Sequence, residues 1–116
     1  MGADARTILK EAESLVSGPR QAAYGTPWDS LEGIGRAWTP YVEQALAKKG
    51  FLDGTDVANL MIILKAMRTA VGYHHDSFVD IAGYARIAQL LNDPDARAAF
   101  IALIQGEGGD GTCSGF

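Results

Sequence analysis

The sequence predicts an all-α protein: a compact single-domain bundle of about five helices, followed by a flexible glycine-rich tail. Three observations predict it. Apolar residues recur at helical spacing along most of the chain, beginning with Ile8, Leu9, Ala12, Leu15 and Val16, the pattern of a helix with one buried face. The gaps between these segments carry helix stop and start signals: Gly18-Pro19, Thr26-Pro27, Lys48-Lys49-Gly50 and Asn92-Asp93-Pro94. A length of 116 residues suits one core and not two.

The first helix is expected over residues 5–17, with Lys10, Glu11, Glu13 and Ser14 on its polar side. Gly18-Pro19 ends it, because glycine accepts the left-handed cap and proline cannot donate to the ladder. After a loop containing Arg20, Tyr24 and Gly25, Thr26 reads as an N-cap, Pro27 as the first helical residue and Asp29 as an acid at the positive helix end. Leu31, Ile34, Trp38, Val42, Ala45 and Leu46 keep the helical period, and Pro40 should kink this second helix or divide it. Lys48, Lys49 and Gly50 suit its C-terminus.

Thr55-Asp56 is expected to cap a third helix carrying Val57, Leu60, Met61, Leu64, Met67 and Val71, the most buried of the set. Its few polar insertions, Asn59, Lys65 and Arg68, are therefore informative. A connector runs over 73–76, a fourth helix over 77–91, and a short terminal helix over 94–104. These place a single domain at 1–105 and the tail at 106–116. There is no internal repeat.

Composition narrows the function classes. A net charge of −4 and a pI near 5.0 disfavour a long nucleic acid, whose binding draws on a basic stripe to release counterions. No apolar run approaches the roughly 20 residues needed to span a bilayer, and the acidic start lacks a signal-type apolar core. A cytosolic protein is expected. The lone cysteine, Cys113, supports neither an internal disulfide nor a thiolate zinc site. No phosphate-binding glycine loop or nucleophile elbow is present.

The richest polar chemistry lies in residues 73–80, Tyr-His-His-Asp-Ser-Phe-Val-Asp. Asp76 and Asp80 stand four apart, so on a helix they share a face and could share a divalent cation such as magnesium, with Tyr84 one turn further on. The plainer reading makes Asp76 an N-cap and Asp80 a first-turn acid. Lys65 and Arg68, three apart on the preceding helix, would oppose these acids in an antiparallel pair, either holding phosphate or forming ordinary ion pairs. His74 and His75 are adjacent and lack the helical spacing of a zinc pair, so His75 is read as a phosphate contact. Arg20 and Tyr24 form a second patch, where a guanidinium could meet phosphate and a ring could stack on a base, or where Tyr24 simply covers the core beside a positive-φ Gly25.

Several of these segments are also familiar. Residues 20–25 (Arg-Gln-Ala-Ala-Tyr-Gly), 56–61 (Asp-Val-Ala-Asn-Leu-Met), 64–68 (Leu-Lys-Ala-Met-Arg) and 76–84 (Asp-Ser-Phe-Val-Asp-Ile-Ala-Gly-Tyr) resemble an uncharacterised family of small all-α proteins encoded by phages and prophages. More remotely, Tyr24-Gly25, the Lys65/Arg68 helix and the Asp76/Asp80 helix are similar to a phage nucleotide-modification-associated domain. Beyond it they are similar to the all-α nucleotide pyrophosphohydrolases of the MazG and dimeric dUTPase kind. Those enzymes hold magnesium on a Glu-x-x-Glu helix and a Glu-x-x-Asp helix. This chain departs from them, offering Glu11 and Glu13 at the wrong spacing and Asp76/Asp80 in place of the second motif. The resemblance implies a phage protein of the host cytosol that binds a nucleotide or related phosphorylated small molecule, with magnesium-dependent hydrolysis as a subordinate activity. The competing class is a non-enzymatic protein that sequesters a host signalling nucleotide or inhibits a host protein. Two tryptophans and a strongly apolar third helix in so short a chain further suggest a homo-oligomer.

Overall fold

A computed structural model describes residues 5–18 and 25–106. It contains five helices: α1 (Ala5–Val16), α2 (Pro27–Lys49), α3 (Gly54–Arg68), α4 (His75–Asn92) and α5 (Pro94–Gly106), with no strand among the described residues. The all-α fold is as the sequence implies. Gly106, expected to open the tail, is the last residue of α5, while the rest of the tail with Cys113, and Arg20 and Tyr24, lie outside the described residues.

α2 begins as its sequence dictates. Thr26 takes an extended backbone and its hydroxyl accepts from the Asp29 N–H at 3.3 Å, Pro27 opens the helix, and Asp29 sits in the first turn. Gly25 adopts the positive φ of 83° anticipated for it. The helix continues through Pro40 as one element and is not divided there. Proline removes the donor that would reach Arg36, yet Arg36 and Pro40 are both exposed, so water can serve the freed carbonyl. Gly50, with φ of 79°, supplies the left-handed cap and returns its N–H to Leu46 O at 2.8 Å.

α3 begins earlier than the sequence suggests. The N-cap is Asp53, not Thr55 or Asp56, and Asp53 and Asp56 form a reciprocal capping box in which each carboxylate accepts the other's N–H, at 3.0 and 2.8 Å. α4 likewise starts at His75, capped by His74 and not by Asp76, with the His74 Nδ1 accepting from the Ser77 N–H at 3.2 Å. An imidazole with an unprotonated Nδ1 does what an aspartate would do there. Because α3 ends at Arg68, before Val71, the connector runs over 69–74 and not 73–76.

Helix α3 lies between α2 and α4, forming its most extensive packing with α4, and α5 packs on α4. Trp38 of α2 donates its indole N–H to Leu60 O at 2.8 Å. The far end of α4 is clasped to the start of α3, where Asn92 donates to the Thr55 hydroxyl at 2.8 Å and Leu91 lies against Gly54. Among the described residues the buried apolar ones are Ile34, Ala58, Leu60 and Tyr84, which lie on α3 and on its neighbours α2 and α4. Large apolar side chains on every helix remain exposed, among them Leu9, Trp28, Val57, Phe78 and Leu103.

Candidate functional site

The antiparallel packing of α3 and α4 brings the last turns of one beside the first turns of the other. Lys65 and Asp80 meet there, with Nζ 2.8 Å from Asp80 Oδ2 and side-chain exposures of 19 % and 34 %. The spacing argument placed these cations and acids opposite one another, and the pairing of Lys65 with Asp80 realises it. Asp76, in the first helical turn, is exposed. It lies one turn before Asp80, so both carboxylates occupy one side of α4.

The other expected residues are distributed around this end of the hairpin. Arg68 lines a hollow of about 230 Å³ with Asp29, Ser30, Gly33 and Met67, between the start of α2 and the end of α3. His75 is exposed, its Nδ1 3.1 Å from the Tyr73 hydroxyl, and Tyr73 stacks on Phe78 with centroids 5.6 Å apart. Tyr84 is buried in the core, a turn beyond Asp80. Among the described residues no group of three or more His, Cys, Asp or Glu side chains is arranged to hold a metal ion.

A second polar cluster sits at the opposite end of α3. Asp56 is buried, and its carboxylate accepts from three donors at once. Tyr41 donates to Oδ1 at 2.7 Å, while the Lys49 ammonium and the Asp53 N–H at 2.8 Å share Oδ2. Asn59 in turn donates to the Tyr41 hydroxyl at 2.8 Å, and Lys49 reaches Asp53 at 3.2 Å. The Lys49 ammonium, then the Asp53 N–H and the Tyr41 hydroxyl, hold the Asp56 carboxyl far below the usual carboxylate range. Burial, followed by its contact with Asp56, pushes the Tyr41 phenol up, although Asn59 works against this. The bond to Asp56 raises the Lys49 ammonium in turn. Every described buried side-chain polar atom has a partner. Beside this network Pro40, Tyr41, Gln44, Ala45 and Lys48 line a surface groove of about 470 Å³.

The sequence pointed to Asn59 as an informative insertion and to Asp56 as a cap, but not to their meeting with Tyr41 and Lys49. The local signal for part of it was present: Asp53 and Asp56 stand three apart at a helix start, the spacing of a capping box.

Chemically, the Lys65–Asp80 end offers cationic and anionic groups that solvent can reach. At the Asp56 end the carboxylate is closed off, while Lys49 and Asp53 around it keep contact with water.

With that geometry in view, residues 7–92 match the family described as "Domain of unknown function (DUF6378)". The chain belongs to this family. The match runs from within α1 to the last residue of α4, so both polar clusters lie inside the matched region and α5 lies outside it. The chain is also 41 % identical over 80 residues to the Gene 55 protein of Mycobacterium phage D29, covering 68 % of this chain and 49 % of the relative. It is 37 % identical over 91 residues to the Gene 55 protein of Mycobacterium phage L5, covering 77 % and 54 %. It thus spans about half the length of the curated relatives it matches. No solved structure matches. Among the described residues no helix is long and apolar enough to cross a membrane.

Proposed function

We propose that this phage-family protein binds a nucleotide or a related phosphorylated small molecule at the Lys65–Asp80 end of the α3–α4 hairpin. The observation that carries the reading is the half-buried ion pair itself. A lysine held by one carboxylate in partial contact with water can exchange that partner for a phosphate oxygen at little cost. Arg68 and His75, near the same end of the hairpin, supply further donors, and the remote resemblance to nucleotide pyrophosphohydrolases supports the same ligand class.

The donor chemistry also fits magnesium in its usual substrate-shared form, in which one or two carboxylates suffice because waters and phosphate oxygens complete the shell. Asp76 and Asp80 would hold it, and bound there it would neutralise phosphate charge. In that state the lysine released from Asp80 is the group positioned to take phosphate. Hydrolysis remains the subordinate activity, since a metal-assisted attack on a phosphoanhydride draws on more carboxylates than this pair.

A non-enzymatic role, sequestering a host signalling nucleotide or blocking a host protein, is the second reading. It is favoured by the exposed apolar side chains, Trp28, Leu31, Val71 and Tyr73 among them. Thermal-shift measurements against nucleoside mono-, di- and triphosphates, with and without magnesium, separate the two, because a ligand of the native state raises its unfolding midpoint. The proposal expects a magnesium-dependent rise that Asp80→Asn abolishes. Retention of the rise in Lys65→Ala would mark a metal-centred site, and its loss an anion pocket. No rise with any nucleotide, together with no phosphate release, overturns the nucleotide reading.

A further inference from the structure

Two unfilled halves of a helix–helix contact coexist in this chain. The first is α1. Ile8, Leu9, Ala12, Leu15 and Val16 form a continuous apolar stripe along its 12 residues, yet each of them is exposed, Leu15 by 66 %. A helix of this length is marginal in water unless its apolar face is buried. At 100° per residue, Glu11 and Glu13 fall on the two borders of the stripe.

The second half is a groove of about 320 Å³ between α4 and α5, lined by Leu91, Pro94, Ala98 and Ile101 with Arg97 among them. Leu91 and Ile101 are exposed, as are Phe100 and Ile104 on the same helix. α5, with 13 residues, matches α1 in length. Arg97 donates to the carbonyls of Leu90 and Leu91, both at 2.9 Å. That uses two of the five N–H donors of a guanidinium and leaves the others for an acidic neighbour.

We propose that α1 of one copy seats in the α4–α5 groove of a second copy, and reciprocally, forming a two-fold dimer by exchange of a helix. The stripe covers Leu91 and Ile101, and Glu11 or Glu13 meets Arg97. A second copy is the occupant because it carries both complementary parts, so that one symmetry operation fills both empty halves in each chain.

The test is the solution mass of the full chain, by light scattering after size exclusion, at tens of micromolar. A dimer is expected for the wild type, and the monomer mass for Leu15→Glu and for Ile101→Glu separately. Both positions lie outside the buried core, so helical circular dichroism should be retained. If either Glu variant loses it, Leu15→Ser or Ile101→Ser replaces it. An equimolar mixture of the two Glu variants should recover dimer, since one retains an intact groove and the other an intact α1. A monomeric wild type overturns the proposal, including the case in which α1 folds onto its own chain. So does a dimer that survives either substitution, or variants that fail to complement.

Discussion

Helix α3 carries a lysine–aspartate pair near each end, and the two differ in nearly everything but composition. At its start, Asp56 has 4 % of its side chain exposed and both oxygens engaged, by Tyr41, Lys49 and the Asp53 N–H. Near its end, Lys65 meets Asp80 alone, in an arrangement that solvent reaches. A buried carboxylate that loses one donor is left with an uncompensated charge, whereas a half-buried pair whose acid keeps a third of its side chain in water is more readily rehydrated. The first pair therefore fixes how α2 meets α3, and the second is free to trade partners.

The sharpest way to break this contrast is to remove each acid in turn. Asp56→Ala should lower the thermal midpoint by on the order of 10 °C, because it takes the acceptor from the Tyr41 hydroxyl and the Asp53 N–H and leaves Lys49 only its contact with Asp53. Circular dichroism melting checks this, and a fall no larger than that of Asp80→Asn would remove the distinction.

Acid titration gives the next largest effect. Because the folded Asp56 carboxyl lies well below its unfolded value of about 3.9, the folded protein binds fewer protons than the unfolded chain between those two values. The stability that Asp56 contributes is thus fully present above about pH 4 and is lost progressively as the pH falls below it. Melting midpoints measured at about pH 7, 4 and 2.5 should drop along the acid limb in the wild type. The drop should be shallower in Asp56→Ala.

The smallest effect belongs to the other pair. Lys65→Ala should cost about 1–2 kcal/mol in urea unfolding, more than a fully exposed ion pair because only 19 % of the Lys65 side chain meets water, and less than Asp56→Ala. Adding salt to the wild type should reproduce part of that loss. A cost several times larger would make Lys65 a structural residue and weaken its candidacy as a ligand contact.

What was legible in the sequence follows the range of the interactions. The Thr26-Pro27 start and the Gly50 stop of α2 rest on groups a few residues apart, and they appear in the fold where the sequence puts them. The alignment of Lys65 with Asp80 followed from one antiparallel pairing and simple helix spacing. The caps of α3 and α4 were displaced by two or three residues, because Asp53-Gly-Thr-Asp56 offers two candidate aspartates and because His74 caps only as a neutral imidazole. The network around Asp56 was not legible as a whole. Tyr41 and Asn59 stand 15 residues before it and three after it, and only the packing angle of α2 on α3 brings the phenol between them. Of the candidate residues, Lys65 and Arg68 share a helix but lie against different neighbours, Asp80 for one and the hollow beside Gly33 and Met67 for the other. Spacing alone does not separate them.

The junction of α2 and α3 also bears on how such a protein can change over generations. Apolar side chains in a core can be replaced one at a time, since a neighbour of similar volume tolerates the exchange. Tyr41, Lys49, Asp56 and Asn59 allow no such sequence of single steps, for each satisfies an atom of another. Selection therefore meets these four positions as one inherited character, to be kept together or surrendered together, while Lys65 and Asp80 need only each other.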